Sequence, residues 1–244
     1  MTQNELITPA PKRVLAIQAH PDDIEFGQAG TIAKWVREGA EVTYCSVTSG
    51  DKGSPDPEMT GERLVATREA EQRQAGKILG LKDVIFLGYK DATLVADLDL
   101  RLALTRVMRQ VKPDVVLSFD PSARILQNSY INHPDHIATG EASLAAVFPS
   151  VRDRMTFPEL LAEGLEPHKV PHVYLYASDQ PNTWIDITDT IDQKIEALKA
   201  HVSQLNGEDP TEWMRQWARE TAKSNPNRES ATEYMEAFRY IRLD

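Results

Sequence analysis

Cysteine occurs once in these 244 residues, at Cys45. No intrachain disulfide can form, and no cluster of thiolates can hold a metal. Long apolar runs are missing too. Near the N-terminus the only one is residues 14–19, Val-Leu-Ala-Ile-Gln-Ala, interrupted by Gln18. A secretory core needs about 7–15 apolar residues and a membrane span about 20. No membrane span is therefore expected, and the cytoplasm is the default location. Basic runs are absent and the net charge is −10, so no nucleic acid is expected as a partner. There are no repeats and no low-complexity tracts, which sets solenoids and disordered chains aside. His-Glu-x-x-His, Gly-x-Ser-x-Gly and the Walker glycine-lysine pattern are also missing. Gly27-Gln28-Ala29-Gly30 is not the Gly-x-Gly-x-x-Gly of dinucleotide binding.

What is present is an alternation of short apolar segments with helical patterns. Strands are expected at residues 14–19, 42–47, 84–87, 115–119, 173–177 and 184–187. Helices are expected at 27–38, 62–79, 98–111, after the second histidine cluster to 147, and at 189–201. The remainder, 206–244, reads as helical around Trp213 and Trp217, which suit a core more than a sugar platform. Such alternation implies βαβ units and an α/β fold with a mostly parallel, Rossmann-like sheet flanked by helices. The whole chain, 1–244, reads as one domain. Residues 1–12 read as a flexible N-terminal arm, and the irregular, proline-containing stretch 148–171 as a flap over a site. Cys45 falls within a strand, where a buried, inert thiol is expected.

Two short clusters carry the chemistry: Ala19-His20-Pro21-Asp22-Asp23 and His133-Pro134-Asp135-His136. Each follows an expected strand, and ligands of open α/β sheets bind outside the carboxyl ends of strands. Proline as the second residue suits a first helical turn, so His20 and Asp23, and His133 and His136, are expected on shared faces. A catalytic zinc takes three His or carboxylate ligands and leaves a position for water. His20, Asp23 and one or both of His133 and His136 make such a set without cysteine. Asp22 is then the neighbouring base for the water. A free His133 can polarise the carbonyl or protonate a leaving amine, and Asp135 can orient it through a hydrogen bond. The aspartates alone would suit helix N-termini, but that does not account for three histidines beside them. His168, His172 and His201 individually read as structural, with a place near the pocket open for His201.

At these clusters the sequence resembles the PIG-L/LmbE-like de-N-acetylases. The likeness continues through Gly30-Thr31, Ser49-Gly50-Asp51, Thr67-Arg68-Glu69-Ala70-Glu71, Asp186-Ile187-Thr188, His201-Val202-Ser203-Gln204 and Glu236-Ala237-Phe238-Arg239. The resemblance implies an LmbE-like fold and one zinc per chain, another divalent metal remaining open. It implies His20, Asp23 and His136 as ligands, Asp22 as general base, and His133 as acid or oxyanion partner. Arg68, Asp91 and Asp51 match positions near the substrate. Ile24 departs from the glutamate that many members carry directly after the aspartate pair; here Glu25 follows one place later.

The expected activity is removal of an N-acetyl or other acyl group from an amino sugar or N-acetylglucosaminide. Alternatives are an amidase acting on a larger thiol-sugar conjugate, a non-catalytic sugar-binding protein and, more weakly, a nucleotide-binding module. Specificity is expected in residues 51–61, 121–132 and 148–171, and association into a homo-oligomer is compatible with the resemblance.

Overall fold

The computed structural model describes residues 10–126 and 128–243. Residues 1–9 of the expected N-terminal arm lie outside them. The elements run β1 (Arg13–Gln18), α1 (Asp23–Gly27), α2 (Ala29–Arg37), β2 (Glu41–Thr48), α3 (Gly61–Leu79), β3 (Asp83–Tyr89), α4 (Leu98–Val111) and β4 (Val115–Phe119). A small hairpin of β5 (Ile125–Leu126) and β6 (Tyr130–Ile131) follows, then α5 (Pro134–Ala145), α6 (Glu159–Ala162), β7 (His172–Tyr176) and β8 (Thr183–Asp186). The chain closes with α7 (Ile191–Lys199), α8 (Val202–Leu205), α9 (Thr211–Ser224) and β9 (Met235–Arg242).

Local chemistry sets the helix boundaries. The Thr60 hydroxyl accepts from the Arg63 N–H at the start of α3, and Gly80, with φ of 75°, ends it in the left-handed conformation. The Asp97 carboxylate does the same for the Leu100 N–H at the start of α4. In β1, Val14 and Ala16 enter the core under α2, α3, α7 and α9, whereas Leu15 and Ile17 enter the core under α4 and α5. A strand buried on both faces reads as a continuous apolar run rather than an alternating one.

The seven-stranded sheet has the order β3-β2-β1-β4-β7-β9-β8. Strands β3, β2, β1, β4 and β7 are parallel, and β9 runs antiparallel between β7 and β8. From β1 the chain winds outward to β2 and β3, then returns to β4 on the other side. The carboxyl ends of β1 and β4 therefore flank a switch point, where side chains from both following loops converge.

Two expectations change, and one stretch left unassigned gains a hairpin. Residues 206–244 are not helical throughout: α9 is followed by β9, which fills a position inside the sheet. Residues 120–132 hold the β5–β6 hairpin. The stretch expected as a flap is anchored instead of hanging free. The buried Arg109 donates to the carbonyls of Ser150, Asp153, Thr156 and Leu165, and Val151 and Val170 enter the core beside α4 and α5. Cys45 is buried, and burial pushes its thiol up to about 12. Among the described residues no helix is long and apolar enough to cross a membrane.

Glu236 of β9 ties the C-terminal strand to the N-terminal half. Its carboxylate accepts the N–H groups of Gly30 and Thr31 at 3.0 and 2.8 Å and pairs with Lys194 Nζ at 2.6 Å. Lys194 also donates to the Phe26 carbonyl, and both side chains are almost fully buried. Glu236→Ala strands the ammonium and the two N–H groups. The expected loss is about 3–5 kcal/mol of stability, as for a buried pair stripped of one partner. Urea unfolding checks it, and a midpoint equal to the parent's would show that the pair carries no such weight.

Candidate metal centre

His20 leaves the end of β1 in a tight turn whose shape comes from its own cluster. Asp23 Oδ2 accepts the His20 N–H at 2.7 Å and lies 3.5 Å from His20 Nδ1, and the Tyr44 hydroxyl donates to the His20 carbonyl at 2.6 Å. His20 and Asp23 thus meet across a turn that precedes α1, not on a helical face. The second cluster opens α5 with Pro134 in the first turn. A Cβ on Gly140 would lie 2.5 Å from the Phe119 carbonyl oxygen, so glycine there lets α5 approach the end of β4 closely. His136 consequently stacks on Phe119, with ring centroids 4.0 Å apart and planes at 8°.

The clusters meet at the switch point. His136 Nε2 lies 3.2 Å from Asp23 Oδ1, while His136 Nδ1 is held by Asn132 Oδ1 at 3.0 Å. A ring nitrogen from each of His20, His133 and His136 lies within 4.8 Å of the others. The Asp23 carboxylate faces both the His20 and the His136 ring, which puts His and carboxylate donors of the kind a divalent metal takes side by side. His20 Nε2, on the far side, meets Asp91 Oδ1 at 3.0 Å and Asp135 Oδ2 at 3.5 Å. His20, Asp91 and Asp135 form a second close group. The Asp135 carboxylate in that group is already occupied by the N–H groups of Ala92 and Leu94 at 2.7 and 3.2 Å. Carboxylates on this side of the ring can fix the orientation of His20, as carboxylates behind metal-binding imidazoles do.

Charge points the same way. Asp22, Asp23, Asp91 and Asp135 are all buried around this spot, and Arg68 is the buried guanidinium facing them. Burial disfavours a charged His20, but Asp135, Asp23 and Asp91 overcome it and push its pKa up to about 12. Asp23 is held far below the usual range despite burial, by His136 and His20. Four carboxylates buried around one guanidinium leave the spot short of positive charge, which a divalent cation would supply. The donor set and the charge both fit a metal.

Asp22 stands beside these groups. Its backbone is left-handed, with φ of 93° and ψ of −22°. The Arg68 guanidinium binds the Pro21 carbonyl at 2.7 Å and Asp22 Oδ2 at 3.2 Å. Gly50 makes room for Arg68: φ there is 64°, and a Cβ would overlap the guanidinium. Burial pushes the Asp22 carboxyl up to about 6, against the pull of Arg68 and with the push of Asp23. His133 is half-buried, and burial together with His20 and His136 lowers its pKa. A neutral imidazole here can accept or pass a proton.

The structure corrects one expected contact. The Asp135 carboxylate does not bind His133; the link is the Asp135 backbone N–H, which donates to His133 Nδ1 at 3.2 Å. The three residues expected near substrate are engaged with protein. Arg68 holds Asp22, Asp91 holds His20, and Asp51 accepts the Asp91 N–H at 2.9 Å. Lys52 adds a bond to the Asp91 carbonyl. Sequence reasoning missed Gln72, Asn132 and Tyr44, and noted Glu25 only as a departure beside the aspartate pair. Gln72 had a local signal, standing four residues after Arg68 on the same face of α3. Asn132 had another, directly before His133.

Comparison with known proteins follows the same lines. The family model of GlcNAc-PI de-N-acetylase, PIG-L, matches residues 15–147. Diacetylchitobiose deacetylase of Thermococcus kodakarensis is 34% identical over 194 residues, covering 80% of this chain and 70% of that one. Among solved structures, N,N'-diacetylchitobiose deacetylase from Pyrococcus horikoshii in complex with an inhibitor superposes with a TM-score of 0.85 at 32% identity. It covers 95% of this chain and 84% of that one. GalB from Pseudomonas putida KT2440, a 4-carboxy-2-hydroxymuconate hydratase, superposes with a TM-score of 0.78 at 25% identity, covering 96% and 97%.

Proposed function

From the premise that the chain belongs to the PIG-L family, we propose that it is a zinc-dependent hydrolase that removes the N-acetyl group of an amino sugar or N-acetylglucosaminide. The observation that carries this reading is the Asp23 carboxylate set between His20 Nδ1 and His136 Nε2, with Asp22 beside it. His20, Asp23 and His136 would hold the metal. When bound, it would polarise the acyl carbonyl and make a nearby water acidic. His and carboxylate donors do not select zinc uniquely, so the metal is named on the deacetylase resemblance.

The chain's own groups do the rest. Asp22, anchored by Arg68, accepts the proton of the attacking water. His133 faces the space between the clusters and donates to the developing oxyanion or to the departing nitrogen. Asp91 and Asp135 keep the His20 ring in place. Hydration of a double bond, the reaction of the structurally similar hydratase, also needs an activated water and a base. Both reactions also need a proton donor, which His133 can be, so amide cleavage is preferred here on the likeness to the deacetylases. The C-terminal part of the chain is tied to the N-terminal half by Glu236 on Gly30 and Thr31 and by Ser203 on Glu71.

The test is acetate release by the zinc-loaded protein from N-acetylglucosamine, N,N'-diacetylchitobiose and an acetylated thiol-sugar conjugate, assayed in parallel. Release from one of the first two supports the reading, and release from the conjugate alone assigns the larger substrate. Sugar binding without acetate from any of the three would make this a binding protein.

A further inference from the structure

Behind Asp22 lies a line of buried polar side chains that the proposed chemistry does not use. The Asp22 N–H donates to Gln72 Oε1 at 2.8 Å, Gln72 Nε2 donates to Glu25 Oε1 at 2.9 Å, and Glu25 Oε2 lies 3.4 Å from His201 Nε2. Gln72, Glu25 and His201 are all fully buried. The order of groups fixes their roles. A carboxylate only accepts hydrogen bonds, so Glu25 compels Gln72 to turn its NH2 inward and its carbonyl oxygen toward Asp22. Glu25 in turn is faced by the imidazole of His201. That residue is docked by its neighbour: the N–H and hydroxyl of Ser203 donate to the Glu71 carboxylate at 2.8 and 2.6 Å.

What the line ends on is a strained residue. A non-glycine backbone rarely adopts the left-handed conformation that Asp22 has, and such conformations persist only where surrounding contacts over-determine them. Arg68 holds the Asp22 carboxylate from one side, and Gln72 holds its N–H from the other. Hydrogen-bonded supports of this kind set the aim of the groups they touch.

We propose that Gln72, Glu25 and His201 are positioning residues for Asp22, a buried chain that keeps the base in its left-handed conformation and aimed at the water. His201 and Ser203 lie beyond residue 147, where the family match ends, so the C-terminal part of the chain completes the machinery. The inference rests on the reading of Asp22 as the base.

The test pairs His201→Gln with the same change in an Asp22→Asn background, using acetate release from N,N'-diacetylchitobiose by zinc-loaded protein. In the parent background kcat is expected to fall about 10–100-fold, the range for supporting residues around a metal site, with KM and zinc content held. In the Asp22→Asn background the same substitution is expected to cost nothing more. Equal losses in both backgrounds, or none in either, would overturn the chain. A second readout needs no activity: the Asp22 amide signal in a 1H–15N spectrum of metal-free protein is expected to shift and to exchange faster in His201→Gln. Gln72→Met, which keeps the volume but removes both contacts, is expected to do the same should His201→Gln not fold. An unmoved amide in the variant that folds would sink the proposal. If the parent protein releases no acetate, the functional reading falls while the amide signal still decides the positioning chain.

Discussion

Asp22→Asn is expected to keep about one zinc per chain and to lose about 10²–10⁴-fold in acetate release, the usual contribution of a positioned general base. Asp22 neither bridges the histidines nor contacts them in the way Asp23 does; its carboxylate meets Arg68 at 3.2 Å. The amide keeps the volume and an acceptor oxygen for Arg68, so the guanidinium is not left facing a void. It removes only the capacity to take a proton. Metal content by mass spectrometry and a thermal melt, measured beside turnover, separate this from collapse of the site. A variant that retains zinc and turns over at nearly the parent rate would remove Asp22 as the base. A variant that loses zinc would make Asp22 part of the metal set.

The sequence carried much of the architecture where the signals are local. Helix α4 spans the expected residues because Asp97 caps its start and Lys112-Pro113 ends it. Strands β1, β2, β4 and β7 were readable because parallel strands covered on both faces are short apolar runs bounded by breakers. Strand β9 was not readable. It carries the buried Glu236 among its apolar residues, and its place between β7 and β8 depends on pairings 49 to 70 residues distant. The same division holds at the site. His20, Asp22, Asp23, His133 and His136 stand out because they are neighbours in sequence and follow strands. Glu25, Gln72 and His201 meet through contacts 47 to 176 residues apart, so the local pattern, which picks out Glu25 and His201 singly, does not show that they join. The direction of a side chain is likewise a tertiary fact. Asp135 precedes His136 and was expected on His133, but the loop after β3 brings the N–H groups of Ala92 and Leu94 within reach and captures the carboxylate.

That capture divides the carboxylates by task. Asp91 and Asp135 are spent on His20 and on backbone N–H groups. Asp22 is paired with Arg68, which leaves Asp23 as the carboxylate that faces two imidazoles at once. Such a division bears on which histidine would matter for metal affinity. His136 is fixed by three restraints: the Asn132 amide on Nδ1, the Phe119 ring against its face and Asp23 opposite Nε2. Among the described residues the His133 side chain has one hydrogen bond, from the Asp135 backbone N–H to Nδ1, and ring contacts with His20 and His136.

His136→Ala is therefore expected to empty the site. Two of the three proposed ligands, His20 and Asp23, would remain, and a catalytic zinc needs three protein ligands besides its water. Zinc is expected to fall from about one per chain toward zero after dialysis against a weak chelator, and acetate release is expected to fall with it. His133→Ala is expected to behave differently: zinc retained, turnover down about 10²-fold or more from loss of the acid or oxyanion partner. Asn132→Ala lies between, with zinc affinity about 10–100-fold weaker because the His136 ring loses the partner on Nδ1. Equilibrium dialysis of the three variants against a graded zinc buffer orders them directly. The opposite order, with His133→Ala losing zinc and His136→Ala keeping it, would move the metal to the other side of the three-histidine group. His136 would then become the proton donor.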